Sequence, residues 1–205
     1  MLKALRWSLL KVVLPKLINM NKISAKTAQE LTTHYDAIDD DALTLLQPEL
    51  TPEEYINKLI ENEYFADSII FLAHGLPKRE AIWWACLCAK VVTDKDTTAD
   101  DLASLTMAEK WVYEPDDKKR RMCGTLAEKG EYKSAQNWAA AAVFWSGGSI
   151  TKEGDPAMEP APYLYAHAVS GAILNAVGMS DTDDIDTQFQ QFIKHGLNIA
   201  AGGNG

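Results

Sequence analysis

Apolar positions recur at helical spacing along almost the whole chain, and no stretch alternates as a half-buried strand would. The longest apolar run is Ala81 to Ala89, nine residues without a charge, with Pro77 just ahead of it at a natural first helical position. A helix over about 77–92 that is apolar on every side belongs at the centre of a bundle. A membrane span needs about 20 apolar residues, and Lys90 interrupts this run well short of that.

The neighbouring segments predict further helices. Thr51-Pro52-Glu53-Glu54 is a capping box with proline in the first turn, opening a helix to about Glu61. Tyr64 to His74 follows with Gly75 as its stop, and Leu76-Pro77 then joins it directly to the central helix. Thr97 and Asp100 predict a start for a helix to about Glu114; Pro115 opens another, which ends at Gly130. Ala135 to Trp145, Tyr163 to Val177 and Asp184 to Ala201 complete the set, the last placing Ile185, Phe189, Phe192, Ile193 and Leu197 on one face. Ahead of these, 2–20 reads as a basic amphipathic helix and Ser24 to about Asp39 as a second one, with Asp39-Asp40-Asp41 as a solvated acidic run. Residues 146–162, rich in glycine and proline, form one long irregular segment.

The fold class is therefore all-α: a single domain of successive helical hairpins around the central helix at about 77–92. Residues 1–45 read as a basic N-terminal helical extension, 46–201 as the domain and 202–205 as a disordered tail.

Length and composition fit one ordinary globular domain, 205 residues with 47% hydrophobic content. The net charge of -9 argues against nucleic acid, whose binding rests on neutralising phosphates. The charge is uneven: Lys3, Arg6, Lys11, Lys16, Lys22 and Lys26 all precede the first acid, Glu30. Three cysteines with no Cys-x-x-Cys pair suit reduced, buried thiols in the cytoplasm, and the N-terminus lacks a signal-peptide cleavage site. No stable membrane insertion is expected.

Little in the sequence is arranged for catalysis. His74, Glu80 and Cys86 fall near the hairpin joint and form the one neighbourhood an enzyme could use, yet Cys86 and Cys88 lie in the most apolar part of the chain, where thiols stay protonated. His34, His74, His167 and His195 show no metal-ligand spacing, and no cofactor is implied. Ser146, Gly147 and Gly148 superficially resemble an anion loop but follow a helix and lack the Gly-Lys-Ser/Thr ending, so they read as a helix end. Arg79 and Trp83, four apart on one helical face, are the best candidates for recognising a partner, because tryptophan and arginine dominate interaction hot spots.

The run Leu76-Pro77-Lys78-Arg79-Glu80-Ala81-Ile82-Trp83-Trp84-Ala85-Cys86-Leu87-Cys88-Ala89 resembles the signature of a poorly characterised bacterial helical family. Further blocks agree: Glu109-Lys110-Trp111-Val112, Pro115 with Arg120-Arg121, Ala142 to Ser149, and Gly196-Leu197-Asn198-Ile199-Ala200, so that the resemblance spans about 48–201. It implies an association with type VI secretion, beside spike-tip proteins of the PAAR type, their effectors and adaptors. The implied role is a cytoplasmic, non-enzymatic adaptor or co-chaperone that helps load an effector, with Arg79, Trp83, Ser146, Gly147 and Gly148 as partner-binding residues. The alternatives are an immunity protein, with the acids between Asp181 and Asp186 steering a basic toxin, or a small enzyme using His74, Glu80 and Cys86.

Overall fold

The structure is a computed structural model and describes residues 19–36, 39–180 and 184–205. The helix expected over 2–20 lies outside the described residues but for its last two positions, as do Asp181 and Asp183 of the acidic cluster. Among the described residues there are ten helices and no strand: α1 (Ala28–Thr32), α2 (Asp40–Thr44), α3 (Pro52–Glu61), α4 (Phe65–Gly75), α5 (Lys78–Val91), α6 (Ala99–Tyr113), α7 (Asp117–Lys129), α8 (Ala135–Phe144), α9 (Leu164–Gly178) and α10 (Ile185–Ala200). None of them is long and apolar enough to cross a membrane.

Local chemistry sets most of the boundaries. Thr51 and Glu54 form the capping box of α3, each side chain accepting the other's backbone N–H. Ser134 and Asn137 build the same reciprocal cap on α8. Helix α6 starts one residue later than expected: Thr98 is its cap, accepting from the Asp101 N–H, while Thr97 closes the preceding turn by accepting from the Asp94 N–H. The single helix expected from Ser24 to about Asp39 is reduced to the five residues of α1. The Asp39 side chain accepts the Asp41 N–H, so the acidic run caps α2 instead of merely meeting solvent.

The core is built on two helices. α5 lies against α9, α8, α6 and α10, and the alanine-rich α8 lies against α9, α7, α6 and α5. Ala139, Ala140, Ala141 and Ala142 are all buried and let the neighbouring helices come close. At the α5–α10 crossing Gly196 replaces a side chain altogether, since a Cβ there would sit 2.8 Å from the ring of the fully buried Trp84. The Trp84 indole N–H donates to the Phe192 carbonyl at 2.8 Å, and the two helices are locked together.

Helix α5 is not buried all round, as its uncharged run suggested. Trp83 and Leu87 are half-buried and Arg79 and Val91 exposed, a stripe of positions four apart that reaches the surface. Ile185, expected on the inner face of α10, is 54% exposed. Both ends of the described chain fold back onto the domain. Met20, Ile23, Ala28 and Leu31 are buried, and the backbone of this arm bonds to Glu53, Leu50 and Ala200: Met20 N donates to Glu53 Oε1 at 2.7 Å, Ala28 N to Leu50 O at 2.7 Å and Lys22 N to Ala200 O at 2.9 Å. At the other end, Asn204 O accepts from the Trp83 indole and Gly205 N donates to Asn198 Oδ1, both at 2.9 Å, so residues 202–205 carry specific hydrogen bonds in place of the disorder expected there.

Candidate functional site

The residues expected to meet a partner fall into two groups. Arg79 is exposed in the first turn of α5, and one turn on, the Trp83 ring packs edge-on against Tyr113 at 5.6 Å between centroids. Tyr113 is 70% exposed, so these aromatics and Val91, 48% exposed, form a ledge at the surface. Ser146, Gly147 and Gly148 follow α8, and Ser146 and Gly148 also make contacts that shape the chain there. Ser146 is buried, its hydroxyl donating to Val143 O and its carbonyl accepting from Lys78 Nζ at 2.6 Å. Gly148 takes a left-handed φ of 68° because its backbone closes over the Arg120 guanidinium, which a Cβ would approach to 3.1 Å.

Arg120 ties the start of the 146–162 segment to α7. It is 4% exposed and pairs with Asp117 while donating to Phe144 O and Ser149 O, both at 2.9 Å. Arg121, on the same carboxylate, donates to Thr151 O at 2.9 Å. Asp116, one residue earlier, caps α7 and binds Lys119.

Among the described residues no hydrogen bond or ion pair links His74, Glu80 and Cys86. Glu80 pairs with Lys22 at 3.2 Å. Cys86 is fully buried, and burial pushes its thiol well above the ordinary range, with Glu109 and Cys123 adding in the same direction. Cys88 and Cys123 are buried and raised likewise. Thiolate chemistry finds no support in these environments.

The structure assembles a different constellation at the joint of α4 and α5. His74, 2% exposed, packs edge-on to His167 of α9 at 4.8 Å and tilts against Tyr35 at 4.5 Å. His34 stacks on Tyr163 at 4.0 Å. Tyr163 itself precedes α9 in the left-handed region, φ 62°, an uncommon conformation for a large side chain. A cleft of about 390 Å³ opens here, lined among others by Lys22, His34, His74, Lys78, Tyr163 and Tyr165. Along the sequence these histidines are scattered, since His34, His74 and His167 come from the arm, α4 and α9. Only the four-residue spacing of Tyr163 and His167 hints at a shared face. Among the described residues no group of three or more His, Cys, Asp or Glu side chains could hold a metal ion.

Burial lowers the His74 pKa to about 4, with His167 and His34 adding to the effect against the Ile70 hydrogen bond. The unfolded chain, with an ordinary histidine near 6.5, therefore binds more protons than the folded one between these values. Stability should be unaffected by this group above about pH 6.5 and fall as pH drops towards 4, by on the order of 2–3 kcal/mol in total. Urea midpoints from pH 7.5 to 4.5 for the wild type and His74→Phe test this: the variant should lose much of the slope, and parallel curves would show that His74 does not titrate across folding.

A family model described as "Family of unknown function (DUF6931)" matches residues 55–200. Neither a curated protein nor a solved structure matches the chain.

Proposed function

The chain belongs to this family of unknown function, DUF6931, and from that premise we propose that it is a non-enzymatic adaptor or co-chaperone in the cytoplasm, binding a type VI secretion effector or spike-tip protein. The observation that carries the binding role is the surface ledge of the central helix. A helix whose other faces are packed against four neighbours still leaves Arg79 and Val91 exposed, with the half-buried Trp83 and Leu87 between them under residues 204–205 and Trp83 beside the exposed Tyr113. Aromatic and arginine side chains held on a rigid element are what interaction hot spots are made of, because little conformational entropy is lost on binding. The secretion partner rests on the resemblance of the Leu76 to Ala89 run. The deeply buried thiols lend nothing to the enzymatic alternative, and Asp184 and Asp186 are the described acids of the cluster an immunity protein would use.

Affinity purification from the native host, with an Arg79→Ala, Trp83→Ala double variant shown by circular dichroism to be folded, tests the reading. Recovery of an effector or spike-tip protein, reduced at least about tenfold in the variant, is the expected result. Recovery of a toxin that the protein neutralises would replace the adaptor by an immunity protein, and a partner retained undiminished by the variant would remove the ledge from the interface.

A further inference from the structure

Residues 203–205 lie across the ledge of α5. Gly203 N donates to Asn198 O and Gly205 N to Asn198 Oδ1, both at 2.9 Å, and between them Asn204 O accepts from the Trp83 indole N–H, also at 2.9 Å. The absence of side chains fits the segment to this place. A Cβ at Gly203 would sit 2.2 Å from Asn198 Oδ1, so a methyl group there would push away the amide that holds Gly205. Gly205 takes a φ of 101°, and its Cβ would sit 2.2 Å from Leu87 Cδ1. Trp83 and Leu87 are half-buried with this chain over them, while Arg79 and Val91, one turn to either side on the same stripe, are exposed.

The segment is held lightly. Its one side chain, Asn204, is exposed, and its bonds to the indole and to the Asn198 amide are open to solvent, where each hydrogen bond adds little net stability. Ordering a glycine also costs more conformational entropy than ordering any other residue. A segment held in this way opens while the helices stay folded. Trp83 and Leu87 belong to the central helix and stay in place when it does.

We propose that residues 203–205 are a displaceable cover of the ledge, and that an apolar side chain of the protein partner reaches Trp83 and Leu87 by displacing them. This deepens the reading of the ledge as a binding surface and rests on it. The partner must also bring an acceptor for the indole N–H, the place that the Asn204 carbonyl fills in the closed state. Apparent affinity at a covered site falls with the fraction of molecules that are open, so a cover closed nine-tenths of the time weakens binding about tenfold.

Anilinonaphthalene sulfonate, a fluorescent apolar anion, probes the ledge without a partner. Its affinity should rise at least about fivefold from the wild type to a chain lacking residues 203–205, and shift the same way in full-length Gly203→Ala. Adding Trp83→Ala to the shortened chain should abolish the gain. The urea midpoint should be the same with and without residues 203–205, because the removed residues bury no side chain. In the affinity purification described above, the shortened chain should recover more of the same effector or spike-tip protein than the wild type. Equal dye affinity of the two chains, a gain that survives Trp83→Ala, a urea midpoint that falls with the deletion, or equal recovery of the partner would overturn the proposal. The two readings fail separately: if the deletion raises dye affinity while the Arg79→Ala, Trp83→Ala variant keeps its partner undiminished, the cover stands and the ledge is not the partner's interface.

Discussion

Replacing Trp84 by alanine should cost about 3–5 kcal/mol, read as a fall in the urea midpoint at an unchanged slope. The indole is fully buried where α5 crosses α10, among the largest side chains of the core. Truncation leaves a cavity next to Gly196, which has no side chain to move into it, and strips the Phe192 carbonyl of its donor. Small domains are held by roughly 5–15 kcal/mol, so this one change removes a large share. The reciprocal substitution, Gly196→Ala, should be destabilising by about 1–3 kcal/mol because its methyl group meets the ring at 2.8 Å. A loss below about 1 kcal/mol for Trp84→Ala would mean that the crossing contributes little.

Arg120→Leu should cost a further large amount, about 2–5 kcal/mol, through a different mechanism. Leucine can fill space under Phe144, but it leaves Phe144 O and Ser149 O without the guanidinium and frees Asp117 to hold Arg121 alone. The loss should be local in its symptoms: amides and peptide bonds near Ser149 to Met158 should become open to hydrogen exchange and proteolysis before the helices do. Arg120→Lys should recover only part, since a single ammonium cannot reach two carbonyls and a carboxylate in the planar geometry of guanidinium. A variant in which this loop remains protected would show that Ile150 N bonding to Met158 O, and the hydroxyls of Ser149 and Thr151, suffice to hold it.

How much of the fold and of the candidate site is legible in the sequence depends on the range of the interaction. Caps are local, so Thr51 with Glu54 and the end of α8 before Ser146 can be read directly. The uncharged run from Ala81 to Ala89 likewise locates the central helix, because only burial tolerates such a stretch. It cannot reveal that Trp83 and Leu87 form the outward stripe, since uniform hydrophobicity carries no phase. Helix α1 already stops at Thr32, where the hydroxyls of Thr32 and Thr33 donate back to the carbonyls of Gln29 and Glu30, and Asp39 serves as the cap of α2. Arg120 and Arg121 look alike in sequence, two exposed partners for acids, and only the approach of the Gly148 backbone makes the first a buried strut. The cluster of His34, His74 and His167 has no sequence signal of its own, being made by tertiary contact among three segments.

The hydrogen bond from Lys22 N to Ala200 O joins the two ends of the described chain, and this has a consequence for synthesis. Translation delivers the arm first and α10 last, at roughly 5–20 residues per second. Its contacts with Leu50, Glu53 and Gly75 become available early, but the bond to Ala200 waits until α10 has been made. During that interval of some ten seconds or more, Lys22 N is without its acceptor, so the arm closes on the domain in two stages.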